Sequence, residues 1–163
     1  MREFDLNGIR LAEYQARLFE MSTTLLNCSS PIFIRRFLHS NLLTQLDKND
    51  SARISLDVIE GINNINNQFG ESKYGMIKYS NEAMFWMGYL YRYISFTRDV
   101  DTRYLFKLFD YKKVIELYYT YHTQSLEWCV ENLLELFNLD ENIFDKNWRL
   151  KEIIKNYYLD YKE

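Results

Sequence analysis

Hydrophobic residues recur with a helical period at the start of the chain. Between residues 5 and 27 five hydrophobic residues and one threonine stand three or four positions apart, as one face of a helix requires: Ile9, Ala12, Ala16, Phe19, Thr23 and Leu26. Asp5 is a suitable N-cap, and Glu13 and Arg17 suit the solvated side. The pattern predicts a first helix over residues 5–27 with that inward stripe.

A stop and a new start follow at the sequence CSSP. Ser30 is the predicted cap, and Pro31 takes the first helical position, where its missing N–H costs nothing. The helix behind it, IFIRRFLHSNLLTQL over residues 32–46, turns Phe33 and Phe37 inward.

Polar runs separate the next elements. Residues 47–53, DKNDSAR, predict a flexible loop, and residues 71–79, ESKYGMIKY, predict a connector. Between them Ser55 opens a third helix, and Gly70 stands where a C-terminal glycine ends one. The apolar face of that helix comprises Val58, Ile62, Ile65 and Phe69.

In the second half of the chain, too, each apolar run follows a residue that suits an N-cap. Polar residues that suit an N-cap precede each run: Ser80, Asp101, Asp110 and Ser125. The helix after Ser80 ends at Asp99, the run after Asp110 closes at His122, and a last helix covers residues 146–161.

Proline occurs once and glycine five times, which leaves few turn residues for a sandwich or barrel. No internal repeat or domain boundary is visible. We therefore expect an all-α fold, with residues 1–163 forming a single helical domain. It should be a compact bundle of about eight helices around a central aromatic-rich helix.

That central helix contains the stretch MFWMGYLYRYIS, residues 84–95. It is apolar on every side, which is typical of a helix covered by neighbours, and Gly88 would let another backbone approach closely. Base stacking is the alternative use, but single-strand binders need a cationic groove, and this stretch offers Arg92 alone. Core packing is the favoured interpretation.

Arg92 needs a partner in such a core. It can lie over a tyrosine face, pair with a carboxylate such as Glu116, or reach the rim of a groove. An uncovered edge of this helix would present residue types that are enriched in protein interfaces. The candidate contact residues there are Trp86, Tyr89, Arg92 and Tyr93, and His122 is a further candidate contact residue later in the chain.

Charge and cysteine usage restrict the function classes. The net charge is −3, so general attraction to nucleic acid is not expected. The N-terminal residues carry charges, and no window approaches the roughly 18 apolar residues of a membrane span, so we expect a cytoplasmic protein with no membrane partner. Cys28 and Cys129 form no CxxC pair, so reduced buried thiols and no metal site are expected.

Residues 125–145 include six acidic residues and no basic ones. Glu127, Glu131 and Glu135 share one helix face at a spacing of four. The row indicates either a solvated face or a docking site for a basic protein.

The sequence contains none of the common motifs that identify a class of enzyme reaction. His39 and His122 are the only histidines, and His122 at a predicted helix end suits capping of carbonyls. Nucleophile-elbow, phosphate-loop, metalloprotease and EF-hand motifs are absent. We expect no catalytic residues, no enzyme activity and no cofactor.

Segments 78–97, KYSNEAMFWMGYLYRYISFT, and 116–123, ELYYTYHT, together resemble a family of small all-helical proteins of Gram-positive bacteria labelled antitoxins. The segment 27–37, NCSSPIFIRRF, is similar too. The pattern comprises Lys78, Tyr79, Ser80, Glu82, Ala83, Trp86, Gly88, Tyr89, Tyr91, Arg92, Tyr93, Tyr118, Tyr121, His122 and Thr123. The resemblance implies a non-enzymatic inhibitor that neutralises a cognate toxin enzyme, encoded nearby, by direct contact.

Another class of function stays open. Residues 101–121 could form a helix-turn-helix-like segment of a DNA-binding regulator, with Lys107, Lys112 and Lys113 near phosphates. Its turn lacks the usual glycine, and acidic residues flank it. Homo-oligomerisation is likewise open at this point.

Overall fold

The computed structural model describes residues 1–160, except the side chains of residues 147 and 158–160. The described part is all-α, without strands, which confirms the predicted fold class. The helices are α1 (Leu6–Leu25), α2 (Ser30–Leu38), α3 (Asn41–Leu46), α4 (Val58–Phe69), α5 (Asn81–Arg98), α6 (Thr102–Leu108), α7 (Tyr111–Glu116), α8 (Tyr118–Tyr121), α9 (Leu126–Leu136) and α10 (Lys146–Asp160). Short 3-10 turns occupy Ser51–Arg53 and Glu141–Phe144.

Helix α5 is the centre of the arrangement, as its apolar sides predicted. It packs along α1 and also meets α6, α7, α8 and α9. Of its 18 residues, 14 are buried. A Cβ atom on Gly88 would lie 3.0 Å from the Gln15 carbonyl oxygen and 3.1 Å from the Ala16 Cα, so glycine is what lets α1 and α5 approach.

Several predicted caps are present. The side chains of Asp5, Ser80, Asp110 and Ser125 each accept a hydrogen bond from a backbone N–H in the first turn of the helix that follows. The predicted connector, residues 71–79, is free of regular structure. Lys78 ties it to α1 by donating to the carbonyls of Thr23 and Leu26, where a helix end favours a cation.

Two other predicted caps were wrong by one or two residues. Ser29, not Ser30, caps α2, because the Ser29 hydroxyl accepts from the Ile32 N–H while the Ser30 hydroxyl accepts from Tyr79 N–H in the connector. Asp57, not Ser55, caps α4. Ser55 instead donates to the Glu60 carboxylate over 2.8 Å.

Two predicted helices are divided in the structure. Residues 32–46 belong to α2 and α3, because the Ser40 hydroxyl accepts from Leu43 N–H and starts a new helix. The run after Asp110 is likewise divided into α7 and α8 at Leu117. The predicted loop at 47–53 contains a 3-10 turn. These short breaks explain why the chain has more helices than expected.

Four residues of the predicted stripe on α1 are buried, Ile9 and Thr23 are partly buried, and the covered face is wider than the stripe. Leu11, Tyr14 and Leu18 are buried as well, because α4 packs on a second side of α1. Phe69 was predicted to face inward, but it is 37% exposed and lies beneath the Arg36 guanidinium at the end of α4. Within residues 1–160, none of the helices has both the length and the apolar character of a membrane span.

Candidate functional site

An open groove lies where α5 meets α8 and the start of α9. It encloses about 630 Å³ and draws its lining from four helices and the turn after α8. The lining residues are Glu20, Glu82, Phe85, Trp86, Tyr89, Tyr118, His122, Gln124 and Leu126. Three predicted contact residues, Trp86, Tyr89 and His122, are therefore brought together in one concave surface.

The uncovered edge of α5 forms one wall of this groove. The residues of α5 that are not buried are Asn81, Glu82, Phe85 and Tyr89, which follow one another at helical spacing on one side. The Phe85 and Tyr89 rings are stacked, with their centroids 6.3 Å apart. Large aromatic surface is thus left open on a helix that is otherwise covered.

The opposite wall is also aromatic. The Tyr118 ring packs edge-on against Trp86 at 5.9 Å and stacks on His122 at 4.5 Å. His122 Nδ1 lies 2.7 Å from the Tyr118 carbonyl oxygen, which agrees with its predicted place at a helix end. These ring contacts hold the wall in a defined shape before any ligand arrives.

Carboxylates stand at the rim of the groove. Glu20 comes from α1 and Glu82 from the first turn of α5. Neither forms an ion pair with any residue that the structure describes. Burial raises the pKa of the Tyr89 hydroxyl, and the nearby Glu13 carboxylate raises it further. The groove therefore combines an apolar aromatic interior with negative charge.

Tyr93 and Glu127 lie beside this groove in a separate ionic cluster. The Tyr93 hydroxyl donates to Glu127 over 2.8 Å, and Arg98 contacts the same carboxylate at 2.5 Å. Arg98 also pairs with Glu141 at 3.0 Å and so joins α5 to α9 and the second 3-10 turn. The hydrogen bond from Arg98 lowers the pKa of Glu127.

The predicted acidic row is therefore not uniform. Glu127 pairs with Arg98 within the fold, whereas Glu131 and Glu135 are exposed and lie outside the groove lining. Because one of the three charges is neutralised within the fold, the row is weaker as a docking surface than its spacing indicated.

Arg92 does not reach any surface. Its side chain is fully buried, and its Nη1 pairs with Asp47 at 2.9 Å instead of with Glu116. Its Nε donates to Gln15 Oε1 over 2.9 Å, and Asp47 also accepts from the Thr102 hydroxyl over 2.6 Å. Burial lowers the pKa of Arg92, although Asp47 opposes that shift. Arg92 belongs to an ion pair in the core and does not line the groove.

The lysines of the alternative DNA-binding segment lie in different surroundings. Lys107 lines a depression that contains two more basic residues, Lys48 and Arg103, together with Asp47 and Asp101. Lys112 lines another depression that contains Glu116, and Lys113 lies 5.6 Å from the Phe137 ring centroid. Two of the three lysines thus have acidic neighbours. This arrangement gives no uniformly basic surface for phosphates.

Other chemistry is sparse in the described part of the chain. No group of three or more His, Cys, Asp or Glu side chains there is placed to hold a metal ion. Cys28 and Cys129 are buried and unpaired, as predicted. Burial raises the pKa of Cys129 to about 11, which keeps that thiol protonated.

Six residues of the groove were not predicted as contact residues from the sequence: Glu20, Glu82, Phe85, Tyr118, Gln124 and Leu126. The spacing of Tyr118 and His122 by four was an available signal for a shared face. The sequence around Glu20 contains no such signal, because only the packing of α1 on α5 brings Glu20 to the rim. No family model matches the chain, and neither a curated protein nor a solved structure matches it significantly.

Proposed function

We propose that the protein is a helical binding module that attaches to a partner protein through the aromatic groove and inhibits it by direct contact. The observation that carries this proposal is the uncovered edge of α5, with Phe85 and Tyr89 open between covered faces. Tyrosine and tryptophan are the residue types that dominate binding energy at protein interfaces.

The size of the groove defines what it does in such a contact. A groove of about 630 Å³ has room for several side chains, whereas a stable interface buries roughly 800 Å² on each partner. The groove is therefore the anchor of a larger contact surface. Trp86 forms its buried base, and Tyr118 and His122 form one side.

The partner we propose is a toxin enzyme encoded next to this protein, as the resemblance to antitoxins implies. Direct contact at the groove would mask the active site of that enzyme. The aromatic composition of the edge supports this role.

Co-expression with the product of the adjacent gene tests the proposal. The expected result is a stable complex on size exclusion and rescue of growth when that product is toxic. Tyr89→Ala should weaken the complex about 30-fold, as removal of an aromatic anchor does. Tyr74→Ala is the matched control, since Tyr74 is 75% exposed on the connector, away from the groove.

Two results would contradict the proposal. In the first, the wild-type chain forms no complex with the product of the adjacent gene and does not rescue growth. The other is equal binding by wild-type protein and by Tyr89→Ala, with circular dichroism showing that both are folded. The second result would mean that the contact surface lies outside the groove.

A further inference from the structure

The groove has a charge that its own chain does not neutralise. Glu20 and Glu82 stand at the rim without ion pairs to described residues, and no lysine or arginine lines the groove. Carboxylates beside an apolar surface attract a cation and repel phosphate or other anions. The occupant should therefore be positively charged.

The rings in the groove are also free of cations from the same chain. Elsewhere in the described structure, guanidinium groups lie over rings, with Arg149 4.3 Å from the Tyr104 centroid and Arg2 4.8 Å from that of Phe96. None of the cation–ring contacts among the described residues uses Phe85, Trp86, Tyr89 or Tyr118. These groove rings remain available to a cation from outside.

We infer that the groove binds an arginine side chain of the partner protein. The planar guanidinium would stack on the Phe85 and Tyr89 wall and pair with Glu20 or Glu82, while its methylene stem lies on Trp86 and Leu126. Arginine fits better than lysine, because its flat, weakly hydrated head stacks on rings and forms forked hydrogen bonds with carboxylates. The inference rests on the proposed function and names the group that this site recognises.

The test uses the full chain and N-acetyl-arginine amide as the probe. Titration is followed by the indole N–H signals of the three tryptophans in a ¹⁵N–¹H spectrum. The Trp86 signal should shift with a millimolar Kd, whereas Trp128 and Trp148, outside the groove lining, serve as internal references. N-acetyl-citrulline amide, the neutral isostere, should shift Trp86 little or not at all.

A charge variant tests the role of the rim. Glu20→Gln with Glu82→Gln should weaken arginine binding about three- to tenfold, since each partly exposed ion pair contributes modestly. Glu131→Gln with Glu135→Gln removes the same charge from the exposed side of α9 and should leave the Kd unchanged. Equal shifts by arginine and citrulline, or equal weakening by both double variants, would overturn the inference.

The inference and the proposed function fail in different ways. If the partner complex needs Tyr89 but is unaffected by the Glu20 and Glu82 changes, the groove binds a protein without binding its arginine. If the arginine probe binds at Trp86 but no complex forms with the adjacent gene product, the cation site is confirmed and the proposed function is wrong.

Discussion

Asp47→Asn is the substitution with the most direct consequence for stability. Arg92 has 0% side-chain exposure, and Asp47, at 16%, is the carboxylate that pairs with it. Arg92 Nη2 already has no hydrogen-bond partner among the described residues. The substitution leaves a buried guanidinium without a counter-charge, which costs about 3–5 kcal/mol. We expect about 3 kcal/mol, because the asparagine oxygen still accepts a hydrogen bond from Arg92.

Urea unfolding followed by circular dichroism measures this loss. For a chain of 163 residues, 3 kcal/mol corresponds to a fall in Tm of about 6–12 °C. Asp50→Asn is the matched control from the same segment, since Asp50 pairs with Arg53, which is 84% exposed. It should change stability by about 0.5 kcal/mol or less.

Adding Arg92→Met to Asp47→Asn extends the test. The double variant should be more stable than Asp47→Asn alone, because it no longer buries an unpaired charge. The reasoning is refuted if Asp47→Asn lies within about 1 kcal/mol of the wild type, or if the double variant is the less stable of the two.

Three further predictions concern the packing, the Arg98 cluster and the thiols. Gly88→Ala should destabilise by about 1–3 kcal/mol in urea unfolding despite the better helix propensity of alanine, because the new Cβ meets the α1 backbone; a stabilised variant would contradict the close approach. Glu127 has its pKa lowered in the fold, so its stabilising effect is present above the ordinary value of 4.5 and is lost as the pH falls through the folded pKa. Glu127→Gln should therefore be less stable than wild type by about 0.5–1 kcal/mol at pH 7, and chemical unfolding should show this difference shrinking below pH 4.5; a constant difference would refute the assignment. Cys129 should resist a thiol reagent such as 5,5′-dithiobis(2-nitrobenzoic acid) at pH 8 in the folded chain and react in urea, since burial raises its pKa to about 11; rapid reaction before unfolding would be the contrary result.

Local patterns were sufficient where the cause of a structure is itself local. Ser80 and Ser125 were identified as caps because a hydroxyl in front of an apolar run satisfies N–H groups only a few residues away. The central position of α5 followed from the lack of a polar side on that helix. Ser29 and Ser30 show the limit of such patterns, since adjacent hydroxyls are equivalent in sequence and the connector decides which one caps α2.

Tertiary packing alone decided the partners of Arg92 and the site. Gln15 lies 77 residues from Arg92 and Asp47 lies 45 away, and no periodicity relates positions so far apart. A helix that is apolar on every side does not reveal which edge its neighbours leave open, and α1 and α8 leave the edge at Phe85 and Tyr89. The sequence by itself determined where most of the helices lie and which helix is central, because those depend on short-range hydrogen bonds and hydrophobic period. The groove and its charge arise only when separate helices meet, because burial is a property of their arrangement in space.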